Sequence, residues 1–95
     1  MKSITYDELK EYVKKEMLTP NNPKIVRCHS KYNPKRILTF LIANDDYHFF
    51  RPWRGYPEII EKGDYINTDT QDIYNIKSYA FKECYIVIPS TKEPQ

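Results

Sequence analysis

The chain has 95 residues and a formal charge of +2, which suits one domain with a modest core. That charge is too small to argue for nucleic acid by itself, and no apolar run reaches the ~18 residues of a membrane span. Nine tyrosines, four phenylalanines and one tryptophan compensate for the short length, because each ring buries a large area.

Residues 1–5 lead into a charged amphipathic segment, not an apolar one, so no secretory leader is read there and a cytoplasmic location is expected. Residues 5–18 predict a helix. Thr5 and Glu8 have capping-box spacing, and Leu9, Val13 and Met17 repeat on one stripe beside Tyr6 and Tyr12. Pro20 and Pro23 end it. Residues 24–29 predict a short strand and 30–35 a loop, with Asn33-Pro34 as its turn signal.

Residues 36–43 give the strongest strand signal. Ile37, Leu38, Phe40, Leu41 and Ile42 put apolar groups on both faces, as in a central strand covered on both sides. Asn44-Asp45-Asp46 reads as a turn that returns residues 47–51 as the hairpin partner of that strand. Residues 52–57 form a loop with two prolines and Gly55. Residues 57–61 start another strand, and Gly63 supplies a turn or bulge that Asp64 ties through local amides. Residues 65–68 and 73–77 make a hairpin about a turn at 69–72. Ser78 is expected to cap a helical turn through 83, before a last strand at 84–88.

The expected architecture is α+β: an N-terminal helix packed on a bent, mainly antiparallel, half-barrel-like sheet of five or six short strands. It spans 1–88 as one domain, with 89–95 as a flexible tail. Cys28 and Cys84 are expected to be reduced thiols packed as small apolar groups. There is neither a CxxC pair nor zinc-ligand spacing, so no metal and no cofactor are expected.

Three groups of residues could carry function. The first is the interleaved segment 47–56, in which Arg51, Trp53, Arg54 and Tyr56 would form a contact surface for a protein or an anionic ligand. The second is the basic run Lys24, Arg27, Lys31, Lys35 and Arg36, with no acid among residues 19–44. Of these, Lys31, Lys35 and Arg36 would extend the first surface and make half of the molecule positive. The third is His29 with His48, an acid–base pair for metal-independent cleavage of phosphodiesters or for nucleotide chemistry. Cys28 and His29 cannot act together on a strand, because adjacent side chains point to opposite faces.

The order Gly63-Asp64-Tyr65-Ile66, then Ile73-Tyr74, Lys77, Phe81 and Tyr85, resembles the C-terminal motif of small phage-type proteins of the PGDYG-like group. There a proline-glycine-aspartate-aromatic-isoleucine run precedes a tyrosine-bearing strand and a phenylalanine-x-x-x-tyrosine ending. Lys62 stands where that motif has proline, and residues 1–56 have no counterpart. The resemblance implies a phage or mobile-element origin and no activity. The composition, rich in Ile, Lys, Asn and Tyr, is of the kind that AT-rich genomes encode.

The function expected is that of an accessory protein, phage, viral or of a mobile element, acting by non-catalytic binding of a host macromolecule or ligand. The alternatives are a histidine-based nuclease or nucleotide-processing enzyme and a nucleic-acid-binding module. Self-association is compatible with each.

Overall fold

The computed structural model describes residues 1–68 and 71–89. Helix α1 (Tyr6–Leu18) starts at the capping box. The Thr5 hydroxyl accepts from the Glu8 amide at 3.0 Å, and the Thr5 amide donates to the Glu8 carboxylate at 2.8 Å. Such a cap is worth about 1 kcal/mol.

Five strands form one curled antiparallel sheet, a half-barrel as expected: β2 (Ile25–Ser30), β3 (Asn33–Ile42), β6 (Tyr65–Asn67), β7 (Asn75–Ile76) and β8 (Tyr85–Val87), in the order β7-β6-β3-β2-β8. The central strand β3 is covered on both sides. Leu41 points into a core with Tyr6, Leu9 and Val13 of α1. Phe40, next along the strand, points the other way, into a second core with Cys28 and Phe81. The short helix α2 (Ser78–Cys84) brings Phe81 there, and the Phe81 ring stacks on Tyr65 with centroids 3.8 Å apart. Its N-cap is Lys77, whose side chain makes no capping bond, so Ser78 is the first helical residue and not the expected cap.

Two expectations about pairing fail. The 30–35 loop shrinks to the turn at Lys31 and Tyr32, because β3 begins at Asn33 and pairs with Ser30. The strand at 47–51 does not return against β3. It is β4 (Tyr47–Phe50), and it belongs to a second sheet, between β1 (Lys2–Ser3), which the sequence did not suggest, and β5 (Pro57–Ile60). The pairing of strand β3 explains this: β2 takes one edge, and β6 takes the other at Phe40–Ile42, the residues that a turn at 44–46 would place opposite β4. Cys28 is buried as expected, but Cys84 is exposed at the end of α2. The expected flexible tail falls almost wholly, and part of the 69–72 turn falls, outside the described residues.

After α1 carries the chain from β1 to the larger sheet, the chain crosses between the sheets twice more, at 43–46 and at 61–64, and these two crossings are tied together. Gly63 has φ of +92°, a conformation glycine adopts without strain. Its amide donates to the Ala43 carbonyl at 3.0 Å, and the Ala43 amide donates to the Asp64 carbonyl at 2.9 Å. The buried Asp64 carboxylate accepts from the Glu61 amide (2.9 Å), the Asn75 amide group (2.8 Å) and the Lys77 ammonium (3.2 Å). Lys77 also reaches Glu61 at 2.8 Å, and that bond holds its ammonium above the ordinary lysine value. Gly63, Asp64, Tyr65, Lys77, Phe81 and Tyr85 therefore form one structural unit that joins the two sheets.

Candidate functional site

Strands β4 and β5 form a hairpin with Tyr47 opposite Ile60 and Phe49 opposite Glu58. Tyr47, Phe49 and Ile60 point inward to α1. By the period of two, Arg51 continues the inward row of Phe49. It is 1% exposed. Its guanidinium makes a two-pronged contact with Glu58, Nε to Oε2 at 2.7 Å and Nη2 to Oε1 at 3.1 Å, and reaches Asp72 at 3.3 Å. It also lies over the Tyr6 ring, 5.0 Å from the centroid. The Tyr6 hydroxyl donates to Asp72 (3.2 Å) and accepts from the Ile73 amide (2.9 Å). Arg51 is thus an interior anchor joining the hairpin, the start of α1 and the 72–73 segment. It is not the surface contact the sequence suggested, because two carboxylates and two rings already surround it.

The rest of the loop remains outside. Pro52 occupies the second position of a turn closed by the Arg54 amide donating to the Arg51 carbonyl at 2.9 Å. Gly55, with φ of +74°, turns the chain back toward β5. Trp53 is 62% exposed, with its ring edge-on to Tyr6 at 5.3 Å. It therefore covers Tyr6 while leaving most of its surface free. Arg54 reaches the Tyr56 hydroxyl at 3.4 Å and Glu58 at 3.8 Å. The Tyr56 bond is the first cause that raises the Arg54 pKa. Tyr56 is exposed, as are Phe50 and Ile59 on the outer face of the hairpin. Sequence reasoning missed Phe50 and Ile59. Their signal is the 49–58 register, which turns both of them outward once it is known.

Lys31, Lys35 and Arg36 lie elsewhere, at the turn of the β2–β3 hairpin of the larger sheet. They therefore belong to a different sheet from Arg51, Trp53, Arg54 and Tyr56. His29 and His48 are also divided between the sheets. His29 Nδ1 lies 3.0 Å from the Ser30 carbonyl, and His48 sits on the outer face of β4 opposite Ile59. No hydrogen bond connects them, so the structure does not assemble the expected acid–base pair.

A groove of about 740 Å³ runs along α1, lined by Asp7, Lys10, Glu11, Lys14, Thr68 and Ile73 among others. Among the described residues no cluster of three or more histidine, cysteine or acidic side chains could hold a metal ion. No described helix is long and apolar enough to cross a membrane. No protein-family model matches the chain, and comparison with curated proteins and with solved structures gives no match.

Proposed function

We propose that the protein is a non-catalytic binding module that holds a partner protein through the β4–β5 hairpin, with Trp53, Arg54 and Tyr56 at the centre of the contact and Phe50 and Ile59 beside it. One observation carries this reading: large aromatic side chains are exposed on a hairpin whose backbone is fixed from beneath by the buried Arg51. Tryptophan, tyrosine and arginine dominate the energetics of protein interfaces. A loop already held in one shape loses less freedom on binding. Exposed side chains at the end of a hairpin suit a macromolecular surface better than a small ligand, which favours a concave pocket. The resemblance of residues 63–85 to phage-type proteins supports a host protein as the partner.

The test compares the wild type with the Trp53→Ala, Arg54→Ala double variant. Each is immobilised in host lysate, and the retained protein is then purified and titrated. The Trp53–Tyr6 edge contact is worth about 1 kcal/mol, so the melting temperature should fall by no more than about 5 °C. Affinity should fall at least about 30-fold, as for a central interface residue. A folded double variant that binds as tightly as the wild type sinks the reading. A wild-type dimer that the double variant dissolves would make a second copy the occupant.

A further inference from the structure

Lys2, Lys14, Lys24, Arg51, Arg54 and Lys77 each have a carboxylate within 3.8 Å. Lys10, Lys15, Lys62 and Lys82 are exposed singly on other elements, whereas the β2–β3 hairpin gathers four cations in one stretch. Arg27, Lys31, Lys35 and Arg36 are all exposed, and none forms an ion pair with a described residue. The cause lies in the sequence: residues 17–44 contain no acid, and among the described residues no acid forms an ion pair with these four. The register pairs none of the four opposite another, so together they give this hairpin a net positive field that an anion would meet.

This end of the hairpin is built, not loose. The ladder pairs His29 with Ile37 and then Ser30 with Asn33, so Pro34, Lys35 and Arg36 are set out of register as a bulge. Bulges re-aim side chains. The Asn33 side chain accepts from the Lys35 amide at 3.2 Å, and the Ser30 hydroxyl oxygen accepts from the Tyr32 amide at 3.1 Å. The Lys31 amide donates to the Cys84 carbonyl at 2.9 Å, which pins the turn to the end of α2. Tyr32, between the cations, is 82% exposed and its ring touches no other ring. On the same sheet Ile37 and Ile86, paired on either side of His29, leave apolar surface open.

A guard against strand-to-strand aggregation explains only part of this. The first half of β3 has no neighbour on its β6 side, since β6 pairs with Phe40, Leu41 and Ile42 alone, and lysine at such an edge blocks further pairing. That accounts for Lys35 and Arg36. It does not account for Lys31 in the turn, or for Arg27, which pairs inside the ladder with Thr39.

We infer that the β2–β3 hairpin is a second binding surface, for single-stranded nucleic acid, with Arg27, Lys31, Lys35 and Arg36 against phosphates and Tyr32 as the platform on which a base stacks. The cations supply affinity without sequence preference, and the ring supplies the preference for unpaired bases over an acidic peptide or a duplex. This surface is separate from the β4–β5 hairpin and does not depend on it.

Fluorescence anisotropy with short labelled oligo(dT) and oligo(rU) tests the inference. Four phosphate contacts to a single strand give a salt slope of about −2.8, so affinity should drop ~50-fold between about 50 and about 200 mM salt. The Lys31→Ala, Lys35→Ala, Arg36→Ala variant should flatten that slope to about a quarter. Tyr32→Ala should weaken binding about 5-fold or more and leave the slope unchanged, because stacking is not a counterion effect. The Trp53→Ala, Arg54→Ala variant should bind the oligonucleotides like the wild type. No binding at low salt overturns the inference. So does equal affinity for polyglutamate, or equal affinity for a duplex combined with no effect of Tyr32→Ala. Circular dichroism of each variant checks that it is folded.

Discussion

The two hairpins β2–β3 and β4–β5 both carry arginine or lysine beside exposed aromatic side chains, yet they treat their charge in opposite ways. In β4–β5 the register turns Arg51 inward, where Glu58 and Asp72 neutralise it, and Arg54 leans on Tyr56 and Glu58. In β2–β3 Arg27, Lys31, Lys35 and Arg36 are exposed, and none forms an ion pair with a described residue. A charged residue in the first hairpin is a structural tie that sets the shape of a largely apolar surface. In the second it has no ion-pair partner among the described residues. The difference comes from where acids lie in the folded chain, not from the type of the basic residue.

The largest expected effect falls on the anchored hairpin. Arg51→Ala leaves Glu58 without its two-pronged partner and opens a hole beside Tyr6, and should cost about 3 kcal/mol in urea unfolding. Arg51→Lys should recover only part of that, since an ammonium cannot reproduce the planar fork. A loss below about 1 kcal/mol for Arg51→Ala would erase the contrast between the hairpins.

A second, smaller effect concerns how β4 is held to α1. The Tyr12 hydroxyl donates to the Asn44 side chain at 2.9 Å, and Tyr47 donates to the same oxygen at 2.7 Å. Burial, the largest cause, pushes the Tyr12 phenol well above its ordinary value of 10.0. The neutral form is the one the fold favours. Its contribution is complete below the unfolded value and is lost as pH rises through the folded one. Stability of the wild type should therefore fall as pH increases above about 10. Tyr12→Phe should cost about 1 kcal/mol at neutral pH for the lost hydrogen bond and should show a shallower alkaline decline. Equal declines in both proteins would show that Tyr12 does not titrate as a buried group.

The smallest effect is expected from the free hairpin. The Lys31→Ala, Lys35→Ala, Arg36→Ala variant should change stability by less than about 0.5 kcal/mol, since these side chains contact no partner in the fold. Destabilisation above about 1 kcal/mol would make this hairpin structural as well and would collapse the comparison.

Much of the fold is legible because its signals are local. The Thr5–Glu8 box fixes where α1 begins, and alternating apolar residues on both faces mark β3 as central. Gly63 and Asp64 mark a turn that the structure places between two sheets. The sequence suggests a hairpin of β3 with β4 because a short polar turn between two strands resembles a hairpin connection whether or not the strands pair. The claims of β2 and β6 on the edges of β3 are set by residues far away in the chain. The candidate surface was half legible. Trp53, Arg54 and Tyr56 lie exposed as their loop composition suggested, while Arg51, two residues earlier, is buried by the strand register.

The sequence by itself determined the helix and its cap, the two-faced strand, the glycine turn and the acid-free stretch that carries Arg27, Lys31, Lys35 and Arg36. Each depends on neighbours within a few positions or on composition alone. Only the tertiary structure decided that β4 joins a second sheet, that Arg51 is spent inside, and that the basic hairpin stays unpaired. Those outcomes rest on contacts such as Tyr6 with Asp72, 66 residues apart, and such distant pairings form only when the whole chain closes around its two cores.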